Sequence, residues 1–207
     1  MLPERAPSHR DRIVELLSQR GMARLSELLA TGATATSVSR LARDGTILRL
    51  GRGLYQLPDA AFEEHHALAE AAKLVPKGVV CLVSALSYHE LTDRMPRMVW
   101  MAIGGKDWRP KISYPPIRFV RFPAQNLTHH IDTHEIEGVE VQLTTPARTV
   151  VDLFKYRKTV GQDLAIEGLK EVLRSRKTTP AQIHAIASEM GQARTIRPYL
   201  ETLAHDG

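Results

Sequence analysis

The order of patterns in the first sixty residues most constrains the fold of this 207-residue chain. Three short helices are predicted over residues 9–20, 24–30 and 35–43. A hairpin pattern follows, centred on Gly51-Arg52-Gly53, whose glycines supply the positive φ that tight hairpins require. Helix, helix, turn, helix and an arginine-tipped hairpin, in that order, predict a winged helix-turn-helix domain over residues 1–58.

Polar and small residues mark the ends of these helices. Ser8 and Thr34 stand where N-caps belong, because a hydroxyl can accept hydrogen bonds from the free amides of the first helical turn. Gly21 stands just past the first helix, where a left-handed C-terminal residue is common. The sequence therefore predicts two of the helix starts and one of the ends directly.

All the positive side chains of this region, histidine aside, are arginines. Residues 1–57 contain nine arginines, five acids and no lysine, so this quarter of the chain supplies +4 of a net charge of +5. Arginine presents a planar fork of donors that suits phosphates and guanine edges, whereas lysine is a point charge. A basic module made only of arginine is compatible with DNA recognition.

The third helix carries the predicted DNA contacts. With Val38 and Leu41 turned inward, helical spacing turns hydroxyls and arginines outward, and such a helix can enter a major groove. Arg49 and Arg52 on the hairpin are expected to reach the flanking backbone or the minor groove. The predicted DNA-binding residues are Thr36, Ser37, Ser39, Arg40, Arg43, Arg49 and Arg52. The alternative is a small helical subdomain whose arginines are merely solvated.

The pattern of residues 59–207 predicts a second domain with a mixed sheet and a helical C-terminal part. Strands are predicted over residues 79–82, 97–104, 117–122, 133–136 and 139–143. Helices are predicted over residues 62–75 with Asp59 as cap, 84–91, from Pro146 on, 163–175, 180–190 and 193–204. The strand over 117–122 does not alternate strictly, which suits a sheet edge. The expected fold class is α+β.

Two weaker patterns suggest metal chemistry. His130, Asp132 and His134 alternate, so on one strand they would share a face. Asp132 and Glu140 loosely resemble the paired acids of a metal-dependent nuclease, but Gln142 stands where such a site has a lysine. We expect no catalytic residue, no metal and no cofactor, and keep a nuclease using Asp132, His134 and Glu140 as the competing hypothesis.

Residues 94–122 form a second basic segment, with seven cationic residues against one acid, Asp107. Trp108 and Tyr114 lie between them in a loop rich in glycine and proline. Such a segment can extend a DNA footprint or bind RNA by stacking, and a solvated surface is an equally simple interpretation.

The only cysteine, Cys81, excludes an internal disulfide and a multi-cysteine zinc site, and its apolar surroundings predict that it is buried. No apolar run reaches the ~20 residues needed to cross a bilayer, and the N-terminus lacks the apolar stretch of a signal peptide. The expected location is the cytoplasm.

Four motifs, taken in order, are similar to those of one family. The chain resembles the AbiEi antitoxins of bacterial type IV toxin–antitoxin systems. The segments that carry the resemblance are RGLYQLP at 52–58, SALSYHELT at 84–92, TTPARTVVDL at 144–153 and LAIEGL at 164–169. The segment from Pro180 to the end has no counterpart in it.

The resemblance implies a two-domain antitoxin that represses its own operon and is not an enzyme. It implies that the winged helix binds inverted repeats in its own promoter, and that the C-terminal domain neutralises a nucleotidyltransferase-like toxin without requiring a stable complex. A protein-interaction module that has lost DNA binding is a third possibility.

The third motif has a simple physical interpretation as a helix start. Thr145 can cap the helix, Pro146 suits its first position, and Arg148 can pair with Asp152 one turn later.

Overall fold

The computed structural model describes residues 7–59 and 65–205. Contacts divide the chain into two compact units. The first consists of Met1–Pro76, Pro110–Pro115 and His134–Val141, and the second of Lys77–Arg109, Pro116–Thr133 and Gln142–Gly207. The domain boundary at residue 58 stays a prediction.

The first unit contains the three predicted helices and the predicted hairpin. Its elements are α1 (His9–Arg20), β1 (Met22–Arg24), α2 (Leu25–Ala30), α3 (Ala35–Arg43), β2 (Leu48–Gly51), β3 (Leu54–Gln56) and α4 (His66–Leu74). The strands form an antiparallel sheet in the order β1-β3-β2. Strand β1 was not predicted and takes the first residue of the predicted second helix. The predicted beginning of α4 at residues 62–64 lies outside the described residues.

The caps predicted for α1 and α3 are confirmed. The Ser8 hydroxyl accepts a hydrogen bond from the Asp11 amide, and the Asp11 carboxylate accepts one from the Ser8 amide, which is a capping box. The Thr34 hydroxyl accepts a hydrogen bond from the Ser37 amide at 3.1 Å. Gly21 has a φ of +66°, and an added Cβ there would lie 2.8 Å from the Glu137 carbonyl oxygen, so this position requires glycine.

The second unit contains most of a five-stranded sheet and the remaining helices. The strands are β4 (Val79–Val80), β5 (Val99–Gly104), β6 (Ile117–Phe122), β7 (Ile131–Ile136) and β8 (Val139–Thr144). Their order is β6-β5-β4-β8-β7, with β5 parallel to β6 and β4 parallel to β8. The predicted edge position of β6 is confirmed, and residues 134–141 at the tip of the β7–β8 hairpin group with the first unit.

The helices of the second unit confirm the predicted helical C-terminal part. They are α5 (Leu82–Tyr88), α6 (Pro146–Lys155), α7 (Arg157–Val160), α8 (Gln162–Arg174), α9 (Pro180–Glu189) and α10 (Ala193–His205). A 3₁₀ turn at Ala124–Leu127 follows β6. Apolar residues of α5, α6, α8, α9 and α10 share one core with β5 and β6. The fold is α+β, as predicted.

Helix α6 begins as predicted and buries an ion pair. The Thr145 hydroxyl caps the helix, and the Arg148 Nε donates to Asp152 Oδ2 at 2.7 Å, with each side chain only 1% exposed. Arg148 also donates to the carbonyl oxygens of His129 at 2.8 Å and Asn126 at 3.2 Å, and it lies 5.3 Å from the Phe122 ring centre. One side chain thus fastens the 3₁₀ segment to α6.

Burial is the main cause of the raised pKa values of Asp152 and Cys81. It raises the pKa of Asp152 to about 6, although the Arg148 charge and hydrogen bond favour the ionised form. Asp152 Oδ1 has no hydrogen-bond partner among the described residues. Burial also raises the pKa of Cys81 well above its usual value, and the Asp152 charge adds to that shift. Cys81 is fully buried, as predicted.

Within residues 7–59 and 65–205, no helix has the length and apolarity that crossing a membrane requires.

Candidate nucleic-acid interface

Helix α3 separates its residues into a buried face and an exposed face. Val38 and Leu41 pack into the core of the first unit, which also contains Ile13, Leu17, Leu28 and Ile47. The residues that the sequence placed outward are exposed, namely Thr36, Ser39, Arg40 and Arg43. Because the buried positions fix the rotation of the helix, its hydroxyl- and arginine-bearing face lies toward solvent.

Ser37 departs from the other predicted residues of α3. Its side chain is half-buried, and its hydroxyl lies 3.0 Å from His9 Nδ1 and 2.9 Å from Thr34 Oγ1. These bonds tie the start of α3 to α1, so the hydroxyl is already used within the protein. A DNA contact by Ser37 stays a prediction.

Arg40 and Arg43 on α3 are exposed to solvent. Among the described residues, neither Arg40 nor Arg43 has a carboxylate within salt-bridge distance. Asp44, which follows the helix, accepts hydrogen bonds from Thr46 that lower its pKa, and the charges of Arg10 and Arg40 lower it further. The surface around α3 is therefore cationic.

The hairpin between β2 and β3 carries two more exposed arginines. Gly53 has a φ of +71° and allows the tight turn that follows Arg52. The Arg49 Nε donates to the Gly51 carbonyl at 3.2 Å, which steadies the side chain beside the turn. Both arginines are exposed residues, as predicted for a wing.

A concave pocket of about 410 Å³ lies beside the wing and contains a residue that sequence reasoning missed. Its lining residues are Arg24, Leu25, Ser26, Arg49, Arg52, Gly53 and Tyr55. Three of the seven are arginines and none is acidic. The pocket therefore concentrates positive charge around a hydroxyl and a glycine backbone, which is chemistry that suits a phosphate group.

The acid nearest in sequence to Arg24 does not neutralise the pocket. Burial alone would raise the pKa of Glu27, but a hydrogen bond from the Arg24 amide and the charges of Lys73 and Arg20 lower it overall. The Glu27 carboxylate lies 2.9 Å from Lys73 Nζ and 3.2 Å from Arg20 Nη1. Glu27 is thus ionised and engaged by two other cations.

Arg24 was missed because only strand pairing brings it to the wing. The sequence placed residue 24 at the start of a helix, whereas the structure pairs Arg24 with Leu54 across β1 and β3. The Leu25 amide also donates to the Gly53 carbonyl at 2.7 Å. The signal that the sequence offered was the pair of apolar residues after Gly21, too short to predict a strand.

The suggested metal triad does not form. His130 lies just before β7 with a φ of +54°, so it does not continue the alternation of Asp132 and His134. Its Nε2 lies 2.7 Å from Glu189 Oε2 instead. Within the described part of the chain, no group of three or more His, Cys, Asp or Glu side chains is arranged to hold a metal ion.

Comparison with known proteins agrees with this N-terminal geometry. Residues 11–58 match the family model described as a transcriptional regulator, AbiEi antitoxin, so the resemblance seen in the sequence is confirmed over that region. The crystal structure of the RV2827C protein from Mycobacterium tuberculosis has a similar fold, with a TM-score of 0.61 at 13% identity over 89% of this chain and 72% of that one. A search of curated proteins gave no match.

Proposed function

We propose that this chain, whose residues 11–58 are similar to AbiEi antitoxin regulators, is a DNA-binding antitoxin that represses its own operon. Residues 1–58 bind inverted repeats of duplex DNA in the promoter, and residues 59–207 serve to neutralise a nucleotidyltransferase-like toxin. The antagonism needs no stable complex between the two proteins. The proposed role involves no catalysis, metal or cofactor.

The observation that carries the proposal is the exposed face of α3. Arg40 and Arg43 project from a helix whose opposite face is buried, and Thr36 and Ser39 flank them. A single α-helix fits the major groove, where an arginine can donate two hydrogen bonds to guanine O6 and N7. We assign base recognition to Arg40 and Arg43.

The wing pocket supplies the second half of the interface. Arg24, Arg49 and Arg52 surround a concave space with no acidic lining residue, and a backbone phosphate fits such a space. Phosphate contacts hold a protein in register on the duplex without reading its sequence. We therefore assign positioning to the pocket and specificity to α3.

The test is a binding assay with the DNA upstream of the gene and with random DNA of equal length. Specific regulators bind their sites at least ~10³-fold more tightly than random DNA at physiological salt. For a variant of α3 such as Arg40→Ala, the matched control is Arg174→Ala. Arg174 is exposed and paired with Glu171 on α8, so its substitution removes one surface charge far along the sequence from α3. Equal affinity for both DNAs would contradict the proposal.

The toxin assignment has its own test. We expect an adjacent reading frame of the nucleotidyltransferase type, and expression of this chain should restore growth of cells that express that toxin. A divalent-metal titration with labelled RNA and DNA tests the competing nuclease hypothesis. Turnover that disappears in Asp132→Ala would overturn the non-enzymatic role.

A further inference from the structure

The loop between β5 and β6 exposes the largest side chain of the second unit's surface. Trp108 is 81% exposed, whereas the other tryptophan of the chain, Trp100, is 7% exposed in the core of the same unit. Exposing an indole ring to water is unfavourable and lacks a packing explanation here. A large exposed aromatic ring on an otherwise well-packed unit points to a ligand.

The loop that carries Trp108 is held in place by several bonds. Asp107 Oδ2 accepts a hydrogen bond from the Gly104 amide at 2.8 Å, and the Asp107 amide donates to the Gly104 carbonyl at 3.1 Å. Arg121 Nη1, from β6, donates to the carbonyl oxygens of Asp107 at 2.6 Å and Gly105 at 3.2 Å. The exposure of Trp108 is therefore a property of a braced loop.

A side chain at position 104 would disturb this arrangement. An added Cβ there would lie 2.7 Å from Asp107 Oδ2. Gly104 thus permits the close turn in the backbone that presents Trp108. A loop backbone that is already held in place loses little entropy when the loop binds a ligand.

Two of the three charged side chains beside the ring are cationic. Lys106 and Arg109 flank Trp108 in the loop and are exposed, and the Arg109 guanidinium lies 5.5 Å from the Phe119 ring centre on β6. Among the described residues, neither has a carboxylate within salt-bridge distance. The one acid of the loop, Asp107, is bonded to the Gly104 amide.

We propose that this loop is a binding site for single-stranded nucleic acid. An unpaired base stacks on Trp108, and Lys106 and Arg109 bind the phosphates on either side of it. An indole ring reaches the face of an unpaired base but not the faces of bases stacked inside a duplex, so the site prefers single strands. It uses no residue of the winged helix and does not depend on the proposed repressor role.

The experiment uses the full chain and three labelled probes at about 50 mM salt, namely a 12-nucleotide oligouridine, a 12-nucleotide oligothymidine and a 12-base-pair random duplex. We expect both single strands to bind more tightly than the duplex to a protein that carries Arg40→Ala and Arg52→Ala. Tighter binding of one or both single strands than of the duplex by this variant supports the site, and the RNA-to-DNA ratio identifies the natural strand.

Substitutions of the ring separate stacking from other effects. Trp108→Leu should weaken single-strand binding about 5- to 150-fold, and Trp108→Phe should weaken it less because a π face remains. Met95→Ala, at another side chain that is 83% exposed, should change nothing. Arg109→Gln should lower the salt slope by about 0.7, the value for one phosphate contact on a single strand.

Three results would overturn the proposal. The first is single-strand binding at 50 mM salt that is absent or no tighter than duplex binding, and the second is unchanged affinity in Trp108→Leu. The third is loss of toxin neutralisation in Trp108→Leu with nucleic-acid binding intact, which would make the loop a protein-docking site. Since Trp108 is exposed, its variants should keep the wild-type unfolding temperature, and quenching of its fluorescence by oligouridine gives a readout in the unaltered protein.

Discussion

Three arginines of the first unit and one arginine of the second have opposite surroundings. In the first unit, Arg40, Arg43 and Arg52 are exposed, and none has a carboxylate partner among the described residues. In the second unit, Arg148 is 1% exposed and bonded to Asp152 and to two backbone carbonyls. The comparison teaches that the environment decides whether a guanidinium binds an outside anion or holds its own chain together.

The energetic reason lies in desolvation. A buried charge loses its hydration and persists only when protein groups replace the water, so the donors of Arg148 must find acceptors inside the chain. An exposed guanidinium keeps its water until a ligand displaces it. Substitutions at the two kinds of arginine should therefore affect different measurements.

The largest effect is expected at the buried arginine. Arg148→Ala leaves the Asp152 carboxylate buried without its partner and releases the carbonyls of His129 and Asn126, so we expect a loss of about 3–5 kcal/mol of unfolding free energy. Urea denaturation followed by the fluorescence of buried Trp100 measures it. A loss below about 1 kcal/mol would show that the ion pair does not hold the second unit together.

The pH dependence of stability gives the next largest effect. Burial raises the pKa of Asp152 from 3.8 to about 6, so the folded chain retains this proton at pH values where the unfolded chain has lost it. Stability therefore falls as the pH rises from about 4 to about 6, by about 3 kcal/mol for a shift of about two units. In Asp152→Asn the side chain at this position cannot ionise, so this loss of stability with rising pH is absent.

The measurement is the difference in unfolding free energy between Asp152→Asn and the unaltered chain at pH values from 4 to 7. We expect the variant to gain relative to the unaltered chain across this range. Taking the difference cancels the titration of the other carboxylates. A constant difference would contradict the raised pKa.

A smaller effect, on binding rather than folding, is expected at α3. Arg40→Ala should cost about 1–3 kcal/mol on operator DNA and relax specificity at one base pair, because a bidentate contact to guanine is lost. Binding curves on operator variants measure it, and the unfolding free energy should stay within about 0.5 kcal/mol. Equal losses on operator and random DNA would show that Arg40 does not read a base.

The smallest effect is expected at the wing pocket. Arg24→Ala and Arg52→Ala should each weaken binding to all DNA sequences alike and lower the salt slope by about one unit, as one phosphate contact does. Arg24→Lys retains the charge but not the fork of donors, and serves as the matched control. An unchanged slope in Arg24→Ala would remove this residue from the interface.

The local signals in the sequence predicted the architecture of the first unit well. Ser8 and Thr34 cap helices because their hydroxyls satisfy amides a few residues away, and such short-range bonds are visible in sequence. Strand β1 was missed because three residues carry no periodic pattern and become a strand only by pairing with β3. Long-range pairing is decided by the fold and not by a local segment.

The same distinction applies to the candidate interface. The exposed arginines of α3 followed from helical spacing once Val38 and Leu41 were taken as core. The bond between Ser37 and His9 joins residues 28 positions apart, and the place of Arg24 beside the wing depends on strand pairing. Neither was predictable from a pattern in one segment.

The single thiol of the chain, on Cys81, is buried, and this makes the chain ready for site-directed labelling. In the native protein, maleimide and iodoacetamide should not react with it. The thiol is buried, and its raised pKa keeps it in the unreactive protonated form. In Leu48→Cys, at an exposed position of β2 with no assigned DNA contact, the new thiol would then be the only group modified by a fluorophore or a crosslinker. Distances from the wing to a labelled duplex would become measurable without removing any natural residue from the core.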